Sequence, residues 1–287
     1  MVTIRKGKMR DCKDLLTVYQ TTRWYYRAKD GGYQTVEEVK LEHRGIGFKN
    51  WGWLVAEEEG VVIGEIVFNL EKNPLIGRIG IIRNLDIDVR FQKRTIGTQL
   101  TRATESILKE KKAARVVALS PPEAYNYWMK VDYFARGSLV NITTTPSKIK
   151  AIPFKGLKAT QLKSISRIPS SMAYSYISVP GSFSNLSSLL IDQKLPGRLF
   201  EFSKGGKHVG IGIIVKTDID ECHIVLDAID PSAENVNTIL SKLLSMSTAL
   251  KVKRIKSTIP KDQLERFKKS ARWSVEDTRD IPVTRLI

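Results

Sequence analysis

The sequence predicts an α/β fold, a mixed central sheet flanked by helices, and predicts it twice along one chain. Three observations carry this. The 287 residues are roughly twice a typical ~150-residue domain. In the first half, period-two strand patterns alternate with helical patterns. In the second half the same order returns at nearly the same spacing. The gap from the end of the helix-preceding strand to the next strand is 26 residues (89 to 115), then 25 (229 to 254). The aromatic that opens the last strand follows 18 residues later (115 to 133), then 19 (254 to 273). The expected division is residues 1–145 and 146–287.

In the first half, Val2 to Arg5 reads as a short strand, and Leu15, Leu16 and Tyr19 fall on a helical period within Asp11 to Tyr19. A helix is expected over Thr35 to Arg44. Strands at Gly52 to Ala56 and Val61 to Phe68 flank the acidic turn Glu57 to Gly60 and form a hairpin. From Ile79 to Val89, Leu85, Ile87 and Val89 alternate with Asn84, Asp86 and Asp88, so that strand has one apolar and one polar face. The following helix carries the stripe Leu100, Ala103, Ile107 and Leu108. A strand at Arg115 to Leu119, a helix from Pro122 to Lys130 and a strand from Tyr133 to Ile142 complete the half, and Thr143 to Lys148 reads as a linker.

In the second half, strands are expected at His208 to Lys216, Cys222 to Ile229 and Lys253 to Ile259. Asp230-Pro231 opens a helix with the stripe Ile239, Leu240, Leu243 and Leu244. A helix over Lys261 to Ser270 and a terminal strand from Trp273 follow. Gly210-Ile211-Gly212 reads as a strand glycine pair, because no third glycine follows and no helix opens there. Residues 151–200 are Ser-, Pro- and Gly-rich and give no clear pattern.

Composition excludes several classes. A chain 42% hydrophobic and 27% charged is globular rather than disordered or fibrous. No run approaches the ~18–20 apolar residues of a membrane span, and no signal core follows Met1, so a cytoplasmic protein is expected. Cys12 and Cys222 read as reduced thiols, and with His43, His208 and His223 scattered no metal site is expected. The net charge of +17 divides into +9 for residues 1–150 and +8 for the remainder, so it is no basic tail. A nucleic-acid surface, an anionic ligand and a basic solvated exterior all fit that charge. No recognition-helix, zinc-finger or RNP pattern accompanies it.

Chemistry concentrates at Gln92-Lys93-Arg94-Thr95-Ile96-Gly97, between a polar-edged strand and a helix. Unpaired N–H groups and the positive end of the macrodipole make such a helix start a phosphate cradle. Lys93 and Arg94 add charge, and Gly97 permits close backbone approach.

This loop resembles the Gln/Arg-x-x-Gly-x-Gly/Ala pyrophosphate loop of the GCN5-related N-acetyltransferase (GNAT) family. Leu85-Asp86-Ile87 is similar to the strand that lies along the pantetheine arm in that family. Ala124 to Tyr133 resembles the family's helix ending in Tyr-x-Lys-x-Gly-Phe. The likeness spans roughly residues 1–142, and it identifies the second half as a degenerate copy whose Asp230-Pro231-Ser232-Ala233-Glu234 would repel phosphate. The chain departs from the pattern at Thr95 (a glycine in the family), Pro121 (an asparagine) and Trp128 (the tyrosine that protonates the leaving thiolate).

The resemblance implies two acyl-CoA N-acyltransferase-like domains in tandem. It implies acetyl-CoA as co-substrate, no metal, and an amine-bearing small molecule, peptide or protein as acceptor, attacked directly in a ternary complex. Cofactor contacts are expected from Leu85, Asp86, Ile87, Gln92, Lys93, Arg94, Thr95, Ile96, Gly97 and Thr98. Asp86, Glu65 and Glu123 are candidate bases, and Tyr125 or Tyr127 could replace Trp128 as the acid. Trp24-Tyr25-Tyr26 stands where the family places its substrate-side helical region. Two alternatives stay open: a catalytically impaired CoA-binding or interaction module, and a nucleic-acid-binding protein using its basic surface.

Overall fold

The computed structural model describes residues 1–22, 33–44, 51–73, 77–150, 156–162, 179, 182–191, 193–228 and 233–287. Trp24-Tyr25-Tyr26 and Asp230-Pro231-Ser232 lie outside these.

The first half builds β1 (Thr3–Lys6), α1 (Cys12–Thr21), α2 (Val36–His43), β2 (Trp53–Glu58), β3 (Val61–Asn73), β4 (Gly77–Ile87), α3 (Ile96–Glu110), β5 (Ala113–Ser120), α4 (Tyr125–Lys130), β6 (Phe134–Ala135) and β7 (Leu139–Thr144). The second continues with β8 (Leu157–Leu162), α5 (Ser182–Ile191), β9 (Gly197–Lys204), β10 (Lys207–Asp218), β11 (Glu221–Ala228), α6 (Ala233–Ser247), β12 (Arg254–Pro260), α7 (Leu264–Phe267), β13 (Ser274–Asp277) and β14 (Ile281–Leu286).

Local chemistry accounts for the boundaries that frame the site. Thr35 caps α2 in a reciprocal box: its hydroxyl accepts from the Glu38 N–H while Glu38 reaches back to the Thr35 N–H. Helix α3 buries Ile96, Leu100 and Leu108 against β2 to β5, with Ile66, Phe68, Ile82, Val116 and Trp128 in the same cluster. The opposite sheet face is covered by α1 and α2 through Leu15, Val18, Tyr19 and Val39. In the second half α6 packs Leu243 over Gly212, where a Cβ would lie 2.5 Å from that leucine's Cδ1. Gly212 of the strand glycine pair is therefore a packing position.

Two seven-stranded sheets form, in the orders β1-β2-β3-β4-β5-β14-β6 and β13-β7-β12-β11-β10-β9-β8. The expected boundary at 145/146 does not separate them, because each half lends a strand to the other. β7 runs between β12 and β13, with Ile142 opposite both Ser257 and Val275. β14 runs between β5 and β6, with Pro282 opposite Leu119 and Val283 opposite Ala135. Val140 and Ile142 join the second core and Val283 joins the first, all fully buried.

The exchange corrects two sequence expectations. The strand expected from Tyr133 to Ile142 divides into β6 and β7, one in each sheet. The expected Thr143–Lys148 linker begins as the end of β7, where Thr144 is buried and its hydroxyl donates to the Arg272 carbonyl at 2.8 Å. A threonine run has a polar composition, but alternating burial makes it a strand. The unpatterned 151–200 stretch contributes β8, α5 and the start of β9.

Candidate active site

Strands β4 and β5 are parallel neighbours from Arg78–Ala113 to Ile82–Ala118, and their pairing ends there, although β4 continues to Ile87 and β5 to Ser120. A bulge coincides with this point: Val67 faces Asn84 and Phe68 faces Ile82, so Arg83 has no opposite residue on β3. Between the parted strand ends opens a groove of about 930 Å³. Ile82 to Ile87 line one wall, Ala118 and Leu119 another, and Thr95 to Thr98 close its end.

That end is a helix start with two left-handed residues, Lys93 (φ 66°) and Thr95 (φ 62°). Thr95 thus takes the conformation that a glycine would adopt freely, at a cost of about 1–2 kcal/mol. The first helical bond runs from the Gln99 N–H to the Thr95 carbonyl at 3.0 Å, so the N–H groups of Ile96, Gly97 and Thr98 precede the ladder. A Cβ on Gly97 would sit 3.3 Å from the Tyr127 ring, so backbone forms the surface there.

Of the expected cofactor residues, Leu85, Asp86, Ile87, Gln92, Lys93, Thr95, Ile96, Gly97 and Thr98 line the groove. Gln92 also donates from Nε2 to the Ile87 carbonyl at 3.0 Å, tying loop to strand. Arg94 turns elsewhere. It grips Glu58 with two hydrogen bonds of 2.7 and 3.0 Å and lies 5.3 Å from the Phe91 ring centre, and its guanidinium holds the Glu58 carboxyl below the usual range.

The candidate acids separate. Tyr127 lines the groove, its hydroxyl 2.6 Å from Thr101 Oγ1 on α3, and burial pushes its pKa up to about 12. Tyr125 packs half-buried against the first core, outside the groove lining. Trp128 is buried between Tyr127 and Tyr133, with ring centres 5.2 and 4.9 Å away.

Among the candidate bases, Glu123 stands on the rim beside Pro121. Asp86 and Glu65 are directly opposed across β3 and β4 and both are buried, but only Asp86 belongs to the groove wall. Glu65 lies deeper, under α1 and α2, and accepts from the Tyr19 hydroxyl, His43 Nε2 (2.9 Å) and Trp53 Nε1 (2.9 Å). Sequence reasoning missed this company. The capped helix ending at His43 was visible, but nothing in its spacing pointed to a strand residue 22 positions on. Also missed was β14, which places Ile281 and Pro282 opposite Ser120 and Leu119 at the groove edge.

Among the described residues no group of His, Cys, Asp and Glu could hold a metal, and no helix is long and apolar enough to cross a membrane.

Residues 17–130, which include the groove's two strands, its loop and α4, match the sequence model of the Acetyltransferase (GNAT) family. No curated protein matches the chain. Solved structures share the fold at low identity. A GCN5-related N-acetyltransferase from Anabaena variabilis is 11% identical, with a TM-score of 0.65 over 100% of this chain and 73% of its own. One from Sphaerobacter thermophilus is 13% identical, with a TM-score of 0.55 over 99% of this chain and 95% of its own. A tandem GNAT protein from the clavulanic acid biosynthesis pathway is 10% identical, with a TM-score of 0.58 over 100% of this chain and 98% of its own. Residues 17–130 are thus similar in sequence to the GNAT acetyltransferase family, and the chain as a whole shares the fold of the tandem GNAT protein.

Proposed function

We propose that the protein transfers the acetyl group of acetyl-CoA to an amine, by direct attack in a ternary complex formed in the first-half groove. One observation carries this reading. The groove runs without interruption from the parted β4 and β5 to the unladdered N–H groups at the start of α3, so a single channel offers strand backbone at one end and a phosphate cradle at the other. The residues present fit such a ligand: Thr95 keeps the left-handed turn, and Gly97 leaves no side chain where the cradle meets Tyr127.

Acetyl-CoA supplies a thioester that an unprotonated amine can attack. The chain supplies the rest. Lys93 and the α3 N-terminus bind the pyrophosphate, and the backbone of Leu85 to Ile87 aligns the pantetheine arm. A main-chain N–H near Ile87 faces the thioester oxygen. Asp86 accepts the acceptor's proton, and Tyr127 gives its proton to the departing thiolate. The acceptor is an amine-bearing small molecule, peptide or protein. Cys12 and Cys222 are buried free thiols, which suits the reducing cytoplasm.

Calorimetry with acetyl-CoA tests the cofactor half of this reading. Wild type should bind, and Gly97→Trp, which drives an indole into the cradle, should not. Absence of wild-type binding at millimolar ligand would overturn the assignment. Thiol release over a panel of amines, peptides and polyamines tests the rest. A second reading, a CoA-binding module without turnover, is favoured by Trp128, whose indole replaces the expected acid. Turnover of any acceptor excludes it.

A further inference from the structure

Helix α3 touches Tyr127 twice, one turn apart, and cofactor binding uses only one of the two places. Gly97 lies beside the ring, where an added Cβ would sit 3.3 Å from Cε2 and 3.5 Å from the hydroxyl oxygen. Four residues on, and so on the same helix face, the Thr101 hydroxyl lies 2.6 Å from the Tyr127 hydroxyl. Thr101 is fully buried, and among the described residues Tyr127 is its side chain's one hydrogen-bond partner. Tyr127 also lines the groove. The two hydroxyl hydrogens can be placed in two ways, and the ways are unequal. If Tyr127 donates to Thr101, the Thr101 hydrogen is stranded in the interior without an acceptor. If Thr101 donates to Tyr127 Oη, the Tyr127 hydrogen turns to the groove and neither is stranded.

Resting on the acetyl-transfer reading above, we infer that Thr101 is a positioning residue for protonation of the leaving thiolate: its hydroxyl donates to Tyr127 Oη and leaves the Tyr127 hydrogen aimed into the groove. In the step it serves, the Tyr127 O–H bond breaks, its electron pair stays on oxygen as phenolate, and an S–H bond forms on the CoA sulfur. The Thr101 hydrogen bond then meets a full negative charge and strengthens. A solvent proton restores the phenol when the products leave. A thiol ionises at about 8.5, well below a buried phenol, so this transfer runs uphill. A hydrogen bond that favours the phenolate lessens the climb. Because Thr101 rides on the helix whose start forms the phosphate cradle, cofactor placement and acid placement share one rigid element.

The charges around Tyr127 are compatible with this. Burial is what raises its pKa, and the Thr101 hydrogen bond opposes that rise. Glu105 on α3 raises it further, and Arg102 offsets Glu105. Arg102 holds Glu105 and Asp132, each at 2.8 Å, and Arg285 on β14 lies 3.5 Å from Glu105 and 3.2 Å from Asp132. Two cations and two anions thus close into a balanced network. Tyr133 is buried, and burial pushes its phenol up, so it adds no charge. The groove lining contributes Arg83, Asp86, Lys93, Glu123 and Lys130.

Fluorine NMR on the full chain carrying difluorotyrosine at position 127, whose electron-poor ring ionises at lower pH than tyrosine, tests the inference without requiring turnover. Thr101→Val keeps the shape and removes the donor, so it should raise that titration by about one pH unit or more, and Thr101→Ser should restore it. A titration unmoved or lowered in folded Thr101→Val overturns the inference. Neutron diffraction on the wild type needs no variant: a deuterium on Thr101 Oγ1 aimed at Tyr127 Oη is expected, and one on Tyr127 aimed at Thr101 overturns the inference. In thiol release from acetyl-CoA, Thr101→Val should lower kcat about tenfold at unchanged KM for acetyl-CoA, and should cost nothing further in a Tyr127→Phe chain. No loss, or an equal loss in both backgrounds, overturns it. A wild type that does not bind acetyl-CoA or transfer its acetyl group overturns the acetyl-transfer reading instead, and leaves the titration and the neutron map readable.

Discussion

Glu65 and Asp86 oppose each other across the β3–β4 ladder, and both are buried. His43 Nε2 lies 2.9 Å from the Glu65 carboxylate, and that contact makes fold stability depend on pH. The His43 pKa is raised in the folded state, so its contribution is complete below the unfolded imidazole value of ~6.5 and fades as pH climbs through the folded value. His223 acts in the opposite sense, since burial lowers its pKa. Comparison with His43→Gln isolates the first effect. The urea-midpoint advantage of wild type should be largest near about pH 6 and shrink at higher pH. An advantage that grows with pH contradicts the assignment.

The two tyrosines of α4 should behave differently. Tyr127→Phe removes the hydroxyl from both the groove and Thr101, costing about 1–2 kcal/mol of stability. In steady-state assays its kcat should fall about 100-fold or more while KM for acetyl-CoA holds. Tyr125→Phe, outside the groove lining, should match wild type. Equal turnover in Tyr127→Phe and wild type removes Tyr127 from the mechanism.

Thr95 carries a left-handed backbone with a β-branched side chain. Thr95→Gly should therefore stabilise the fold by about 0.5–1 kcal/mol, the steric relief less the entropy of an added glycine, and raise the denaturation midpoint. Acetyl-CoA affinity should survive, because the loop shape is unchanged. A lower midpoint would show that the turn does not have this conformation in solution.

Val283 belongs to the second half of the sequence and to the core of the first sheet. Val283→Ala should destabilise the groove-bearing unit by about 2 kcal/mol. A chain ending at residue 279 should lose acetyl-CoA binding altogether, since β5 and β6 would lose the strand between them. Calorimetry on the truncated protein decides this, and retained binding would refute it.

Most of the first half was legible because its signals are local. The strand around Leu85 and Ile87, the α3 stripe and the glycine-bearing loop each lie within a dozen residues, and they framed the groove, although Asp86 is more buried than its apolar neighbours Leu85 and Ile87 and Val89 lies beyond the strand's end. What escaped notice depends on distant partners. Residues 139–144 read as the close of one domain because pattern reports that a segment is a strand, not which sheet takes it. Arg94 looked like a phosphate ligand until Glu58, 36 residues earlier, claimed it. His43 looked isolated because its carboxylate partner comes from a strand and not from a neighbouring turn.

The exchange of β7 and β14 also sets an order of events in biogenesis. Arg115 pairs with Leu286, 171 positions later, so the first sheet cannot close while the second half is still being synthesised. Until residues 281–286 arrive, the nascent chain carries β5 with an open edge, a template for pairing with other chains. Closing contacts at such sequence separation is slow. The groove, built almost entirely from the first 130 residues, therefore matures only once β14 has been made.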